Sequence, residues 1–173
     1  MASDHELSRQ LVVDRVPSEG LAFSIDASDA ERAALARRFG LGQLMHLSAA
    51  GNVEWRAGRH ILALRCDVRA EIEQTCVVTL EPVASQLRFS FERLFTTEAT
   101  PDAEEIFVDP EAETPEPLDG RVIDLGEIVA EELALEIDPY PRGAGADEVL
   151  EQYATEDEDA PFVALGKLRH RNG

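Results

Sequence analysis

The chain has 173 residues, and its 35 acidic side chains against 16 basic ones give a formal charge of −19 at pH 7. This charge excludes a general binder of polyanions, because affinity for a phosphate backbone comes mainly from cationic side chains. At 44% hydrophobic, the chain can bury a core, and its length favours one domain over residues 1–173. It has neither an apolar run of about 20 residues nor a leader-like start, so we expect a cytoplasmic protein without a membrane segment.

The charge is unevenly distributed along the chain. Residues 1–90 hold 12 acidic residues and 10 arginines, whereas residues 91–166 hold 23 acidic residues and three arginines. This pattern predicts a folded first half and a strongly acidic second half. The acidic half serves either as an interaction surface or simply to keep the protein soluble, and composition leaves both alternatives open.

The first predicted elements are a strand at 7–13 and a helix at 29–39. Ser28 can accept the backbone N–H of Glu31 while the Glu31 side chain reaches back, which is the pattern of a capping box. Gly40 is placed to end this helix.

Two short strands at 43–48 and 53–56 are predicted next, with a turn at 49–52 between them and a second turn at Ala57-Gly58. The segment 61–73 then alternates strictly between apolar and polar residues, which indicates a strand with one buried face. Its apolar face comprises Leu62, Leu64, Cys66, Val68, Ala70 and Ile72.

The same alternation recurs from Val83 to Phe91, directly after Pro82. Proline cannot donate a hydrogen bond to a sheet, so Pro82 favours a bend or an edge position. Two long alternating strands with a short connection predict an antiparallel sheet, open or partly closed into a barrel.

The second half of the chain is predicted to contain one main helix between two acidic segments. Residues 96–120 are rich in Thr, Pro, Asp and Glu, which predicts a mobile acidic insertion. Asp124 can cap a helix that ends before Asp138, and residues 143–173 form a predicted flexible acidic tail. The fold class is therefore α+β, with two main helices packed on an antiparallel sheet.

The sequence contains no motif typical of an enzyme active site. There is no nucleophile elbow, no phosphate-binding glycine loop and no dinucleotide fingerprint, and none of the four histidines has metal-binding spacing. The two cysteines, Cys66 and Cys76, are too few for a structural zinc site, and we interpret them as buried thiols. We therefore expect no enzymatic activity, no metal and no cofactor.

Two groups of charged residues are candidates for a functional surface. Glu132 and Glu136 lie four residues apart, inside the apolar side of the second helix. They either form a carboxylate pair for acid–base chemistry, or they lie at the edge of the apolar side or pair with arginines of the sheet. Arg65, Arg69 and Arg88 lie on the polar faces of the two alternating strands, where they either contact RNA or are neutralised by adjacent acidic residues.

Three segments of the chain carry motifs of a known family. They are the run from Gln74 to Val83, which includes Cys76 and Pro82, the helix from Ile123 to Leu135 with its trailing Pro-Tyr-Pro-Arg at 139–142, and the closing segment 161–168. In these segments the chain resembles the bacterial YceD family of large ribosomal RNA subunit accumulation proteins. Many relatives carry a Cys-x-x-Cys-like cluster where Cys76 stands alone here. Cys76, Tyr140, Arg142 and Phe162 are candidate contacts to a partner or to RNA. Because Cys76 stands alone, we do not expect here the metal role suspected for those relatives.

The resemblance implies a factor that supports accumulation of large-subunit ribosomal RNA. At −19 this chain should be repelled by naked RNA, so we hypothesise that residues 91–166 bind a basic ribosomal protein or a pre-large-subunit particle, with local RNA contact by the sheet arginines. The alternatives are an acidic adaptor unrelated to ribosomes and an RNA-processing nuclease that uses Glu132 and Glu136. The sequence leaves the oligomeric state open.

Overall fold

The computed structural model describes residues 5–56, 60–97, 115–118 and 120–153. These residues form two sheets and three α-helices, and a 3-10 turn at Val13–Arg15 follows the first strand. In chain order the elements are β1 Gln10–Val12, β2 Leu21–Asp26, α1 Asp29–Phe39, β3 Gln43–Arg56, β4 Ile61–Thr75, β5 Pro82–Thr96, β6 Glu116–Pro117, β7 Val122–Asp124, α2 Leu125–Glu136 and α3 Ala146–Tyr153.

The larger sheet has the order β2-β3-β4-β5-β6 and is antiparallel except for the short parallel pair β5–β6. It is not closed, so the open sheet is correct and the partly closed barrel is not. β1 and β7 form a separate antiparallel pair. The α+β prediction, with two main helices, is confirmed.

One face of the large sheet supports the hydrophobic core. The six residues predicted for the apolar face of β4 are all buried there. Leu35 of α1 and Val129 and Leu133 of α2 are buried in the same cluster, so both main helices cover this face. The other face of β4 presents Arg65, Asp67 and Arg69 to solvent.

The predicted boundaries of α1 are confirmed. Ser28 Oγ accepts the Glu31 N–H, and the Glu31 carboxylate accepts the Ser28 N–H at 2.7 Å, which completes the capping box. Gly40 ends the helix in the left-handed conformation with φ of 68°. For α2, Asp124 is confirmed as the N-cap, because its carboxylate accepts the N–H groups of Gly126 and Glu127.

The turn predicted at 49–52 is wrong, because β3 runs without a break through these residues. Gly51 caused the error, since glycine is also typical of turns. In the structure it lies against β4, where a Cβ atom would stand 2.1 Å from the Arg65 carbonyl oxygen. Glycine is needed here for a close approach of two backbones, not for a change of chain direction.

Other differences concern the ends of the predicted elements. Strand β2 lies in a segment that carries no predicted strand, and β1 is shorter than predicted. Residues 146–153 form α3 within the segment predicted as a flexible tail. The predicted turn at 57–58, residues 98–114 and 119 of the predicted mobile insertion, and residues 154–173 of the tail lie outside the described residues. None of the helices in the described part is long and apolar enough to cross a membrane.

Candidate functional site

The loop 76–81 joins β4 to β5 and is built around the side chain of Cys76. The Cys76 sulfur is buried and accepts backbone N–H groups from Val78 at 3.4 Å, Thr79 at 3.3 Å and Gly143 at 3.4 Å. The Gly143 N–H, followed by the hydroxyl and N–H of Thr79, lowers the pKa of the Cys76 thiol from its ordinary 9.0 to about 6. Donors that converge on sulfur stabilise the thiolate.

The segment after α2 is bound to this loop by backbone hydrogen bonds. The Val77 N–H donates to the Pro141 carbonyl at 2.9 Å, next to the bond between Gly143 and Cys76. At the other end of the segment, the buried Gln74 amide donates to the Asp138 carbonyl at 2.8 Å. The structure thus places the candidate residues Cys76, Tyr140 and Arg142 in one region.

Apolar side chains project from both segments into solvent. Val77 is 48% exposed, Leu80 76% and Tyr140 71%, and Leu135 in the last turn of α2 is 80% exposed. Leu80 also has φ of 61°, which is an unusual and strained conformation for a branched residue. We call Val77, Leu80 and Tyr140 the apolar tip. Sequence reasoning missed its Val77 and Leu80, because exposure in a loop leaves no periodic pattern.

The surroundings of the apolar tip are acidic. Residues 76–81, 132–142 and 146–153 together hold seven acidic residues and one arginine. That arginine, Arg142, lies 3.7 Å from Asp147 of α3. An exposed apolar group with an acidic rim suits a partner that carries both positive charge and an apolar anchor.

The two glutamates of α2 have different environments. Glu132 is partly buried, and its carboxylate lies 3.8 Å from the Arg93 guanidinium of β5, which also pairs with Glu116 at 2.9 Å and Glu131 at 2.7 Å. Burial raises the pKa of Glu132, and Arg93 opposes that shift. Glu136 is exposed to solvent. Of the alternatives for Glu132, contact with a sheet arginine is therefore the one observed.

The three sheet arginines also differ in their carboxylate partners. Arg65 lies 3.0 Å from Glu92 and 3.8 Å from Glu54, and its hydrogen bond lowers the pKa of Glu92. Arg69 and Arg88 stand opposite each other in the β4–β5 register. Neither has a carboxylate within 4.0 Å among the residues that the structure describes. Mutual neutralisation thus applies to Arg65 but not to the other two.

Phe162 and Cys66 are the remaining residues that the sequence singled out. Phe162 lies outside the described residues. Cys66 is buried on the core face of β4, and burial raises the pKa of its thiol to about 11. Both cysteines are free, and the described residues hold no group of three or more His, Cys, Asp or Glu side chains that could bind a metal ion.

Fold and site together define an acidic α+β protein with an open, mainly antiparallel sheet. The family model described as large ribosomal RNA subunit accumulation protein YceD matches residues 64–169, more than half of the chain. The chain therefore belongs to the YceD family, which confirms the resemblance, and membership implies a role in accumulation of large-subunit ribosomal RNA. No curated protein and no solved structure matches the chain in the corresponding comparisons.

Proposed function

We propose that this protein is a non-enzymatic assembly factor of the cytoplasm, which binds a basic ribosomal protein or a pre-large-subunit particle and so promotes accumulation of the large-subunit RNA. The observation that carries the proposal is the apolar tip with its acidic rim. The matched residues 64–169 include this whole surface, so it belongs to the part of the chain that defines the family.

The electrostatics favour a cationic protein partner over bare nucleic acid. The rim acids Glu81, Glu136 and Asp138 are all exposed, and the nearby Arg142 is paired with Asp147. A concentration of negative charge attracts basic proteins over several ångströms and speeds their association. The same field repels a phosphate backbone.

The tip is also preorganised for binding. Its two segments are held by the hydrogen bonds from Val77 to Pro141 and from Gly143 to Cys76, so their backbones are ordered before any partner arrives. Ordering a surface in advance lowers the entropic cost of association. Exposed Leu80 and Tyr140 can then supply the buried contact area that charge alone does not provide.

The positions of the α2 carboxylates give less support to a nuclease activity than to an assembly factor. Metal-assisted cleavage requires carboxylates that face an open site together. Glu132 instead faces Arg93, and Glu131 is paired with the same arginine at 2.7 Å. An adaptor unrelated to ribosomes is less consistent with the family's description.

Co-purification from cells tests the proposal. Affinity-tagged full-length protein should recover a basic large-subunit ribosomal protein or a pre-large-subunit particle at low salt and lose it at high salt. Leu80→Ala and Tyr140→Ala should each reduce recovery by about tenfold if they remove a hot-spot contact. Val122→Ala is the matched control, because Val122 is 46% exposed but lies on β7.

The physiological readout is the amount of mature large-subunit RNA in cells that lack the gene. Wild-type protein and the Val122→Ala variant should restore this RNA, whereas Leu80→Ala should restore it only in part. Recovery of ribosomal RNA alone, without a basic protein and without salt dependence, would refute the proposal. Precursor cleavage by the purified protein, abolished by Glu132→Ala or Glu136→Ala, would favour the nuclease instead.

A further inference from the structure

The pair Arg69 and Arg88 is unusual for so acidic a protein. Most arginines in the described ranges lie within 4.0 Å of a carboxylate, including Arg65, which lies four residues from Arg69 on the same face of β4. In the described residues Arg69 and Arg88 have no such partner, and the same holds for Arg15 and Arg37. Of these four, Arg69 and Arg88 alone are neighbours in a sheet, so one strand pair of this acidic chain carries two arginines without an ion-pair partner in the described residues.

The strand register places these two arginines side by side. Arg69 of β4 and Arg88 of β5 are direct cross-strand partners, and both are exposed on the solvent face of the sheet. The Cβ atoms of such a pair lie about 4.5–5.5 Å apart. Like charges at this distance destabilise a sheet, so the pair is better explained by a ligand than by folding.

A cavity of about 210 Å³ is present at the same place. It is lined by both arginines together with His46 of β3, Glu71 and Gln86. His46 Nε2 lies 3.0 Å from Ser48 Oγ, and Ser48 is the cross-strand partner of Arg69 on its other side. Two arginines and a histidine thus border one small opening on the sheet, and Ser48 holds the imidazole of that histidine.

The carboxylate in this cavity is already engaged. The Gln86 amide donates to Glu71 Oε1 at 3.2 Å, and Glu71 forms no ion pair with either arginine in the described residues. The lining of the cavity therefore contains two arginines and one carboxylate, which is an excess of one positive charge among the lining residues. The excess is small, and it suits one oxyanion better than an extended polyanion.

We propose that the cavity between Arg69 and Arg88, with His46 at its edge, binds a single phosphate group. Arginine is suited to this ligand because its planar fork can donate two parallel hydrogen bonds to adjacent phosphate oxygens. The group belongs either to an RNA backbone or to free phosphate, since both offer the same oxygens. The site lies on the solvent face of the sheet and does not rest on the proposed function.

Calorimetric titration of the full-length protein provides the test. One arm uses inorganic phosphate and the other a short single-stranded RNA, both at fixed ionic strength. Arg69→Gln and Arg88→Gln should each weaken phosphate binding about tenfold, because each removes a charge-assisted hydrogen-bond donor. Arg88→Lys should weaken it less, because it keeps the charge and loses the fork.

Two variants on the same face complete the design. Arg65→Gln is the matched control, because Arg65 is engaged by Glu92, and it should change the affinity by less than about twofold. Glu71→Gln removes the one carboxylate in the cavity and should strengthen binding. Thermal unfolding without phosphate verifies the fold, and Arg88→Gln should unfold at the same temperature as the wild type or higher, because like-charge repulsion is relieved.

The outcomes of the titrations distinguish an RNA phosphate from free phosphate as the ligand, and they include results that overturn the proposal. If the RNA competes with inorganic phosphate and the Arg88→Gln variant binds neither well, the ligand is an RNA phosphate. If inorganic phosphate alone binds, the ligand is free phosphate. The proposal is overturned if the wild type binds neither probe, or if Arg65→Gln weakens binding as much as Arg69→Gln and Arg88→Gln do.

Discussion

Cys66 and Cys76 are both buried, but their thiols experience opposite environments. Cys66 lies among apolar side chains of the core, where loss of water disfavours the charged form and raises the pKa to about 11. Cys76 receives three backbone N–H groups, and its pKa is lowered to about 6. A buried cysteine in this loop is therefore an electrostatic element of the surface that carries the apolar tip.

The lowered pKa of Cys76 predicts a pH-dependent contribution to stability. Between pH 6 and pH 9 the folded state holds a thiolate while the unfolded state still binds the proton, so stability rises with pH. The contribution is complete above pH 9 and is lost as the pH falls through about 6. Urea unfolding across this range should therefore show a difference between the wild type and Cys76→Ser that grows with pH.

Cys66→Ser serves as the control for this measurement. Because the pKa of Cys66 is raised, it stays a thiol in both states up to the pH at which an unfolded cysteine ionises. Its substitution should cost the same free energy throughout the range from pH 6 to pH 8. A Cys76→Ser difference that is independent of pH would show that the sulfur is not ionised in the folded protein.

Leu80 combines a strained backbone with an exposed apolar side chain. Its φ of 61° costs a residue with a Cβ about 1 kcal/mol, and glycine avoids this cost. We expect Leu80→Gly to raise the free energy of unfolding by about 0.5–1 kcal/mol while weakening partner binding. Leu80→Ala should weaken binding without stabilising the fold. Destabilisation by Leu80→Gly would show that the side chain stabilises the loop instead.

At the level of elements, β3 and β4 depend on a close contact at Gly51. A Cβ there would lie 2.1 Å from the Arg65 carbonyl oxygen and 2.9 Å from Phe23 Cζ, so the two strands would have to separate. Gly51→Ala should lower the free energy of unfolding by about 1–3 kcal/mol, as overpacking does. Chemical denaturation with circular dichroism measures this loss.

Gly40→Ala is the informative comparison for Gly51→Ala. Gly40 has φ of 68° and open space around its Cα, so alanine would be strained without a clash. The expected cost is about 1 kcal/mol. Equal effects of the two substitutions would mean that the sheet adapts to the added methyl group, and the close approach would then not be the reason for glycine at position 51.

The contrast between α1 and β3 shows how far sequence reasoning reaches. Ser28, Glu31 and Gly40 are local signals that act within one helix, and they predicted its boundaries correctly. Gly51 carries a local turn signal, but its role depends on the β4 backbone, which is distant in the sequence. Contacts between residues that are far apart in the sequence produce no recognisable pattern within a short stretch of residues.

The same limit applies to the candidate sites. Alternation predicted that Arg65, Arg69 and Arg88 share the polar face of two strands, but not which carboxylates they meet. Only the register places Arg65 beside Glu92 and Arg69 beside Arg88. Likewise, the hydrogen bond that connects Cys76 to Gly143 joins residues 67 positions apart, so the loop and the segment after α2 could not be recognised as one surface.

Across the whole molecule, the two proposed binding surfaces lie on different parts of the fold. The apolar tip lies at the connection between β4 and β5, next to the segment that follows α2. Arg69 and Arg88 lie in the middle of β4 and β5, on the solvent face of the sheet. The two proposals therefore allow a cationic protein and a phosphate group to bind at the same time. The total charge of −19 disfavours extended contact with RNA.

Because the acidic rim and the apolar tip act at different stages of docking, we expect substitutions in the two groups to change different rate constants of partner binding. Glu136→Gln and Asp138→Asn should lower the association rate constant for a basic ribosomal protein and reduce its salt dependence, because rim charges act mainly through long-range attraction. Leu80→Ala should leave association nearly unchanged and speed dissociation, since apolar contact forms only after docking. Surface plasmon resonance over a series of salt concentrations measures both rate constants.

Asp67→Asn is the control for this measurement. Asp67 is an exposed acidic residue on the solvent face of β4, so its substitution should alter neither rate constant. If it slows association as much as Glu136→Gln does, the attraction comes from net charge rather than from the acidic rim.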